Sequence, residues 1–370
     1  MGTVRTLLAI YVVLVHTPVG AVMADGQLAV QVFFCISGFL MTYILQNVPA
    51  YSSSKRFYQN RALRLYPTYW ASALLRVAFL AVEEMVFHHS RLSGFGNLPF
   101  AGQLLLAISN LALFGQDLVM FIGLNDNHQM IFLTDFTRSD SQLWTFLLVP
   151  PAWTLGVELC FYAIAPMVVR RLWVVVAVLT FSVVIRAIGI AHGLSRDPWD
   201  YRFFPFELRL FLLGSLSCHL NSKLSLDTFF ARRGPQIAGY AIMVSLILLS
   251  SWARFELYPN AILLATFLAL PALFHFQQFH PFDSWVGELS YPVYVGHWLV
   301  LGLASELRSL AGSARHNQVL FSVAEVIGSL IFAYLLKRLV ADRVEVARRA
   351  IRQRAAPMDA ATERPERVRL

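Results

Sequence analysis

Charge is scarce in this sequence. Asp, Glu, Lys and Arg supply 14% of its 370 residues, whereas a soluble domain carries about a quarter. With 57% hydrophobic residues and a mean hydropathy of +0.58, that shortage argues against a soluble enzyme and predicts an integral membrane protein embedded in a lipid bilayer. Cysteine is scarcer still: Cys35, Cys160 and Cys218 are the three present, each in an apolar segment and none at metal-ligand spacing. The pattern fits neither a disulfide framework nor a thiolate metal site, and no metal is expected. The formal net charge is +8, but the basic residues cluster at the ends of apolar runs and in the C-terminal tail, so no nucleic-acid partner is expected. No internal repeat is visible, which gives no support to a transporter built from repeats.

What is present is a series of apolar stretches near the roughly 20 residues that a spanning helix needs. They cover 6–23, 28–46, 67–87, 152–169, 172–191, 203–220, 236–252, 260–276, 291–307 and 319–338. A further stretch, 101–124, is interrupted by Asn110, Gln116 and Asp117. Basic residues in short loops stay cytoplasmic. Lys55, Arg56, Arg61 and Arg64 put the second loop inside, and Arg170-Arg171 and then Lys223, Arg232 and Arg233 do the same for two later loops. Asp126, Asp135 and Asp140 suit an outer loop. Both ends of 88–152 are then outside, and 101–124 is re-entrant, interfacial or buried. The expected fold is an all-α integral membrane protein of about ten transmembrane helices enclosing a donor/acceptor cavity, with both termini cytoplasmic. Residues 1–340 form the membrane domain and 341–370 a basic cytoplasmic tail, disordered from 355. Val22-Met23-Ala24 resembles a signal-peptide cleavage site, but the single arginine before it and the His16 and Pro18 inside the stretch argue against cleavage.

Arg5 and His16 stand eleven positions apart in the first stretch. That offset is close to three helical turns, so both face one side, roughly 16 Å apart along the axis. An ionisable side chain at membrane depth marks either function or a pair with a neighbouring helix. Arg61 and Arg64, at i, i+3, suit phosphate oxygens or simple cytoplasmic anchoring, and Pro67 is expected to stop the segment at the membrane edge. Glu158 follows Trp153, which occupies an aromatic-belt position. It fits a general acid/base partner or an ion pair with Arg76, Arg186 or Arg209. Ser37 and Gly38 are expected to permit close helix approach. Glu207 and Arg209, at i, i+2, are expected to seek different helices. His297, in Ser290-Tyr291-Pro292-Val293-Tyr294-Val295-Gly296-His297, is placed in the cytoplasmic half as a hydrogen-bonder. His88, His89 and His128 read as loop residues.

In order along the chain, these pieces resemble the membrane-bound acyltransferase family 3 of bacterial glycan, lipopolysaccharide and nodulation-factor O-acetyltransferases. The matching motifs are Arg5-x10-His16, Phe33-Phe34-x-x-Ser37-Gly38-Phe39, Arg61-x-x-Arg64-x-x-Pro67, Trp153-Thr154-Leu155-x-x-Glu158-x-x-Phe161-Tyr162 and Ser290-Tyr291-x-x-Tyr294-x-x-His297. Thr154 stands where serine is common, and Val295-Gly296 before His297 is a further mild departure. The resemblance implies an acyl-CoA donor, acetyl-CoA above all, used from the cytoplasm with no permanently bound cofactor. It implies transfer to a hydroxyl of a cell-surface glycan or lipid-linked saccharide in the bacterial cytoplasmic membrane. His16 would be the general base and Glu158 its catalytic partner, with Arg5, Arg61 and Arg64 near the donor phosphates. Ser37, Trp153, Tyr162, Arg209, Tyr291 and His297 are further candidates. The alternatives are a small hydrophobic acceptor such as a macrolide, and a transporter that moves solute without CoA.

Overall fold

The apolar runs fold as helices. A computed structural model describes residues 1–22, 26–87, 94–125, 127, 129–135, 142–249, 258–310 and 317–353. The α-helices are α1 (Gly2–Val15), α2 (Gln27–Asn47), α3 (Ser54–Phe87), α4 (Phe100–Ala112), α5 (Trp153–Val168), α6 (Leu172–Ala191), α7 (Trp199–Arg202), α8 (Phe204–Lys223), α9 (Asp227–Phe230), α10 (Arg233–Leu249), α11 (Tyr258–Phe279), α12 (Pro281–Gly287), α13 (Ser290–Leu310), α14 (Gln318–Leu336) and α15 (Asp342–Gln353). One small hairpin, Ile122–Leu124 with Met130–Phe132, interrupts them. Among the described residues, seven helical stretches are long and apolar enough to cross a bilayer. The protein is therefore an all-α membrane protein. His88, His89, Asp126, His128, Asp140 and the tail from residue 354 lie outside the described residues.

Two boundaries differ from the sequence expectation. The helix expected over 6–23 stops at Val15. Thr17 precedes Pro18, and a residue before proline is pushed out of the α region; a 3₁₀ turn over Pro18–Val22 follows. Pro67 does not stop a helix but lies inside α3, whose 34 residues extend about 51 Å. That length exceeds a hydrocarbon core of about 30 Å, so α3 continues beyond it. The basic tail starts as a helix: α14 passes through a π turn at Lys337–Ala341 into α15.

Residues 101–124 do not form one helix. α4 has 13 residues, about 20 Å, and Leu113 (φ 60) and Gly115 (φ 81) turn the chain. Its C-terminus lies beside the interior of α3. There Tyr69, Trp70 and Tyr66 donate to the carbonyls of Asn110 (2.8 Å), Leu111 (3.0 Å) and Ala112 (2.6 Å). Without such donors, those terminal carbonyls would be unsatisfied where water is excluded.

α2 is the central helix and packs most extensively against α8. A Cβ on Gly38 would collide with the Phe211 carbonyl, and one on Gly214 with the Cys35 carbonyl. The two glycines thus let the backbones touch, as expected for small residues between membrane helices. Phe34, Phe211 and Phe161 stack beside this crossing, with centroids 4.6 and 4.4 Å apart, and bring α5 against α2. The start of α1 is held by Asp283 of α12, which accepts the amides of Gly2 and Thr3 at 2.8 Å each. A carboxylate at a helix N-terminus satisfies free amides and complements the dipole. Here it fixes the turn that carries Arg5.

Candidate active site

A cavity of about 870 Å³ is bounded by α1, α2, α3, α5, α11, α12, α13 and α15. Its size falls in the range of small-molecule sites. Its charged lining is unbalanced: Arg5, Arg61, Arg64, Arg348, Arg349 and Arg352 against Glu158, Glu288 and Glu345. Val30, Phe33, Phe34, Leu40 and Ile44 of α2 supply an apolar wall. A second depression, lined by Gln46, Arg170, Arg171, His219 and Lys223, is open and holds none of the motif residues.

The polar contacts form a sequence along the cavity. The Arg61 guanidinium stands 5.9 Å from the Tyr162 ring centroid. Tyr162 Oη donates to Glu158 Oε1 at 2.6 Å, and Ser37 Oγ donates to the same oxygen at 2.7 Å. Tyr162 and Glu158 are one helical turn apart on α5, so the pair is local; Ser37 arrives from α2, which packs against α5. One turn earlier on α5, Thr154 Oγ1 donates to Tyr294 Oη (3.0 Å), which donates to the Pro151 carbonyl (3.1 Å). Tyr291, also in the lining, donates to the Leu65 carbonyl at 2.7 Å. Tyr294 is the inner wall. Behind it lies His297, with ring centroids 6.2 Å apart, and His297 packs on His16 at 5.4 Å.

Both imidazoles have an assignable tautomer. His16 Nδ1 lies 2.7 Å from the Val12 carbonyl, and His297 Nδ1 lies 2.8 Å from the Tyr294 carbonyl. A carbonyl oxygen only accepts, so Nδ1 carries the proton in each neutral ring and Nε2 is the basic nitrogen. His297 is fully buried, and its Nε2 has no hydrogen-bond partner among the described residues. His16 is exposed at the end of α1, with Trp298 edge-on at 5.5 Å. A basic nitrogen reachable by a hydroxyl, beside a buried second imidazole, is suited to proton abstraction.

The structure brings Arg5, Arg61, Arg64, Ser37, Glu158, Tyr162 and Tyr291 to one cavity. His16 and His297 stand together just beyond it and are not among its lining residues. His297 hydrogen-bonds within its own helix, as expected, and also packs on His16. Ser37, expected to pack closely and also a further site candidate, is a donor to Glu158. Glu158 takes hydroxyl donors, while Arg186 and Arg209 approach Glu207 instead, at 3.8 and 3.6 Å. Glu207 and Arg209 thus meet despite their i, i+2 spacing, because the long arginine side chain reaches around the helix to a carboxylate with no exposure to solvent. Trp153 is no belt residue: it is buried, with the Arg202 guanidinium 4.3 Å over its ring. Thr154 and Tyr294 are motif positions to which the sequence assigns no role, and Asp283 and the α15 arginines belong to no motif. Tyr294 lay inside a quoted motif, and Arg348, Arg349 and Arg352 share one face with Glu345 at i, i+3, i+4, i+7.

A family model described as an acyltransferase domain matches residues 2–338. An uncharacterized protein of Aquifex aeolicus (strain VF5) is 20% identical over 212 residues, covering 54% of this chain and 89% of that protein. No solved structure matches the chain. With its membrane helices and a domain match over nearly its whole length, the chain belongs to the acyltransferase 3 family and is a membrane acyltransferase.

Proposed function

We propose that the protein transfers an acyl group, acetyl foremost, from acyl-CoA to a hydroxyl of a cell-surface glycan or lipid-linked saccharide. The observation that carries this reading is the order of groups: arginines at one part of the cavity, Tyr294 at its inner wall, and the His297–His16 pair directly behind. Arg5, Arg61 and Arg64 take donor phosphates, which guanidinium groups bind with two donors at once. The pantetheine arm runs along the α2 wall and presents the thioester toward Tyr294. His16 Nε2 removes the proton from the acceptor hydroxyl as its oxygen attacks the thioester carbonyl. The C–S bond breaks, and the CoA thiolate leaves and takes up a proton. Glu158 holds Ser37 and Tyr162 at the level the thioester passes, and offsets part of the arginine charge.

In this reading the arginine end of the cavity faces the bacterial cytoplasm, both termini are cytoplasmic, and α4 with the turns after it is re-entrant from the outer side. About ten helices contribute to the membrane domain, some too short to cross alone. Mass spectrometry of envelope glycans tests the reaction. A deletion strain should lose one O-acyl substituent, and expression of the wild-type chain should restore it. An unchanged glycan profile, with solute flux in vesicles lacking CoA, would favour a transporter.

A further inference from the structure

The arginines of α15 are not explained by the reaction above, and α15 lies beyond the residues 2–338 that match the family. Its helix is amphipathic, and one face carries Glu345, Arg348, Arg349 and Arg352, all lining the cavity. Glu345 meets all three arginines: Oε2 to Arg348 Nη1 at 2.5 Å, and Oε1 to Arg352 Nη2 at 2.5 Å and Arg349 Nε at 3.6 Å. One carboxylate thus gathers three guanidinium groups, the arrangement a phosphate would otherwise make. Arg348 is only 3% exposed, and its buried Nε has no hydrogen-bond partner among the described residues. Its Nη2 donates to Asn60 Oδ1 at 3.2 Å, which also accepts from Arg61 Nη2 at 2.8 Å. Asn60 therefore locks α15 to the turn of α3 that bears Arg61. Arg348 is thus buried beside the like charges of Arg61 and Arg64, with Glu345 as its carboxylate partner.

We propose that α15 is a phosphomonoester site: Arg348, Arg349 and Arg352 bind the terminal phosphate of a nucleotide thioester donor, and Glu345 gathers them while it is absent. The inference rests on the acyl-CoA reading. In such a donor, the diphosphate adjoins the pantetheine arm and the ribose 3′-phosphate lies further from the thioester. With the thioester directed at Tyr294, the diphosphate meets Arg5, Arg61 and Arg64. The 3′-phosphate then falls to α15, whose Arg349 side chain is 58% exposed. The net positive lining matches a ligand carrying both groups.

The test compares acetyl-CoA with acetyl-dephospho-CoA, which lacks only the 3′-phosphate, on full-length protein in nanodiscs. Wild type should bind acetyl-CoA about ten-fold more tightly or better, the scale of charge-assisted contacts to one phosphate. Arg349→Ala/Arg352→Ala should erase that preference while still binding the dephospho donor as wild type does, which also shows the sample is folded. Glu345→Gln should bind acetyl-CoA more tightly, since the internal competitor is gone. Equal loss for both donors, or an unchanged preference in the double variant, would overturn the α15 assignment. So would a Glu345→Gln protein that binds acetyl-CoA more weakly. If wild type binds neither donor, the acyl-CoA reading itself falls, and the α15 site with it.

Discussion

Replacing Glu158 with glutamine separates the charge of this residue from its shape. The glutamine Oε1 still accepts from Ser37 and Tyr162, which now meet at Glu158 Oε1 at 2.7 and 2.6 Å. Each bond changes from charge-assisted to neutral, a loss of about 1 kcal/mol apiece. Together they cost about 2 kcal/mol, or roughly a 30-fold fall in rate. The loss is expected in kcat, because the hydroxyl pair stands where the thioester passes. The donor phosphates instead gain from the change, since the six lining arginines face two glutamates rather than three. KM for acetyl-CoA should fall. Continuous measurement of CoA release with a thiol reagent gives both constants. Ser37→Ala and Tyr162→Phe should each cost about ten-fold, and their combination less than the product, because both donate to one oxygen. A Glu158→Gln enzyme with unchanged kcat, or with a raised KM and nothing else, would refute the reasoning.

Arg61→Lys/Arg64→Lys keeps the cytoplasmic charge but removes the planar fork; it should preserve insertion and raise KM for acetyl-CoA about ten-fold or more, and an unchanged affinity would reduce the pair to anchoring. Gly38→Val drives a side chain into the Phe211 carbonyl and should cost more than the about 1–3 kcal/mol of ordinary overpacking, seen as loss of the monodisperse peak in size-exclusion chromatography. Gly96→Ala, where an added Cβ meets nothing within 4 Å, should leave that peak intact. Single cysteines at positions 139 and 360, in a background lacking Cys35, Cys160 and Cys218, report topology: an impermeant thiol reagent on intact cells should label the first and spare the second, and labelling at 360 would contradict cytoplasmic termini.

Local pattern carried much of this in the sequence. The helix expected over 172–191 is α6, Leu172–Ala191, because an apolar run facing lipid has few competing signals. Arg5 was legible as a charge at membrane depth and Arg61 and Arg64 as a cytoplasmic pair suited to phosphate, and the three do share a cavity. Contacts between distant segments were not legible. Nothing local pairs Ser37 with Glu158, 121 positions away; that contact depends on α2 packing against α5. Trp153 read as an interfacial residue because its sequence neighbours are prolines, whereas Arg202, far along the chain, covers it. The α15 face was hidden by its composition: a run of arginines reads as a solvated tail until Asn60 and Arg61 are found beneath it.

The central claim is that His16 is the base served by this cavity, and one substitution tests it most directly. His16→Ala removes an exposed ring at the end of α1, where its Nδ1 bonds the Val12 carbonyl of its own helix. Insertion and acetyl-CoA affinity should therefore survive. The measurement is the rate of acetyl transfer from acetyl-CoA to the acceptor glycan in nanodiscs, at saturating donor. The account predicts a fall of about 100- to 10,000-fold, the usual contribution of a general base, with the donor still bound. Wild-type turnover by correctly inserted His16→Ala protein would contradict it.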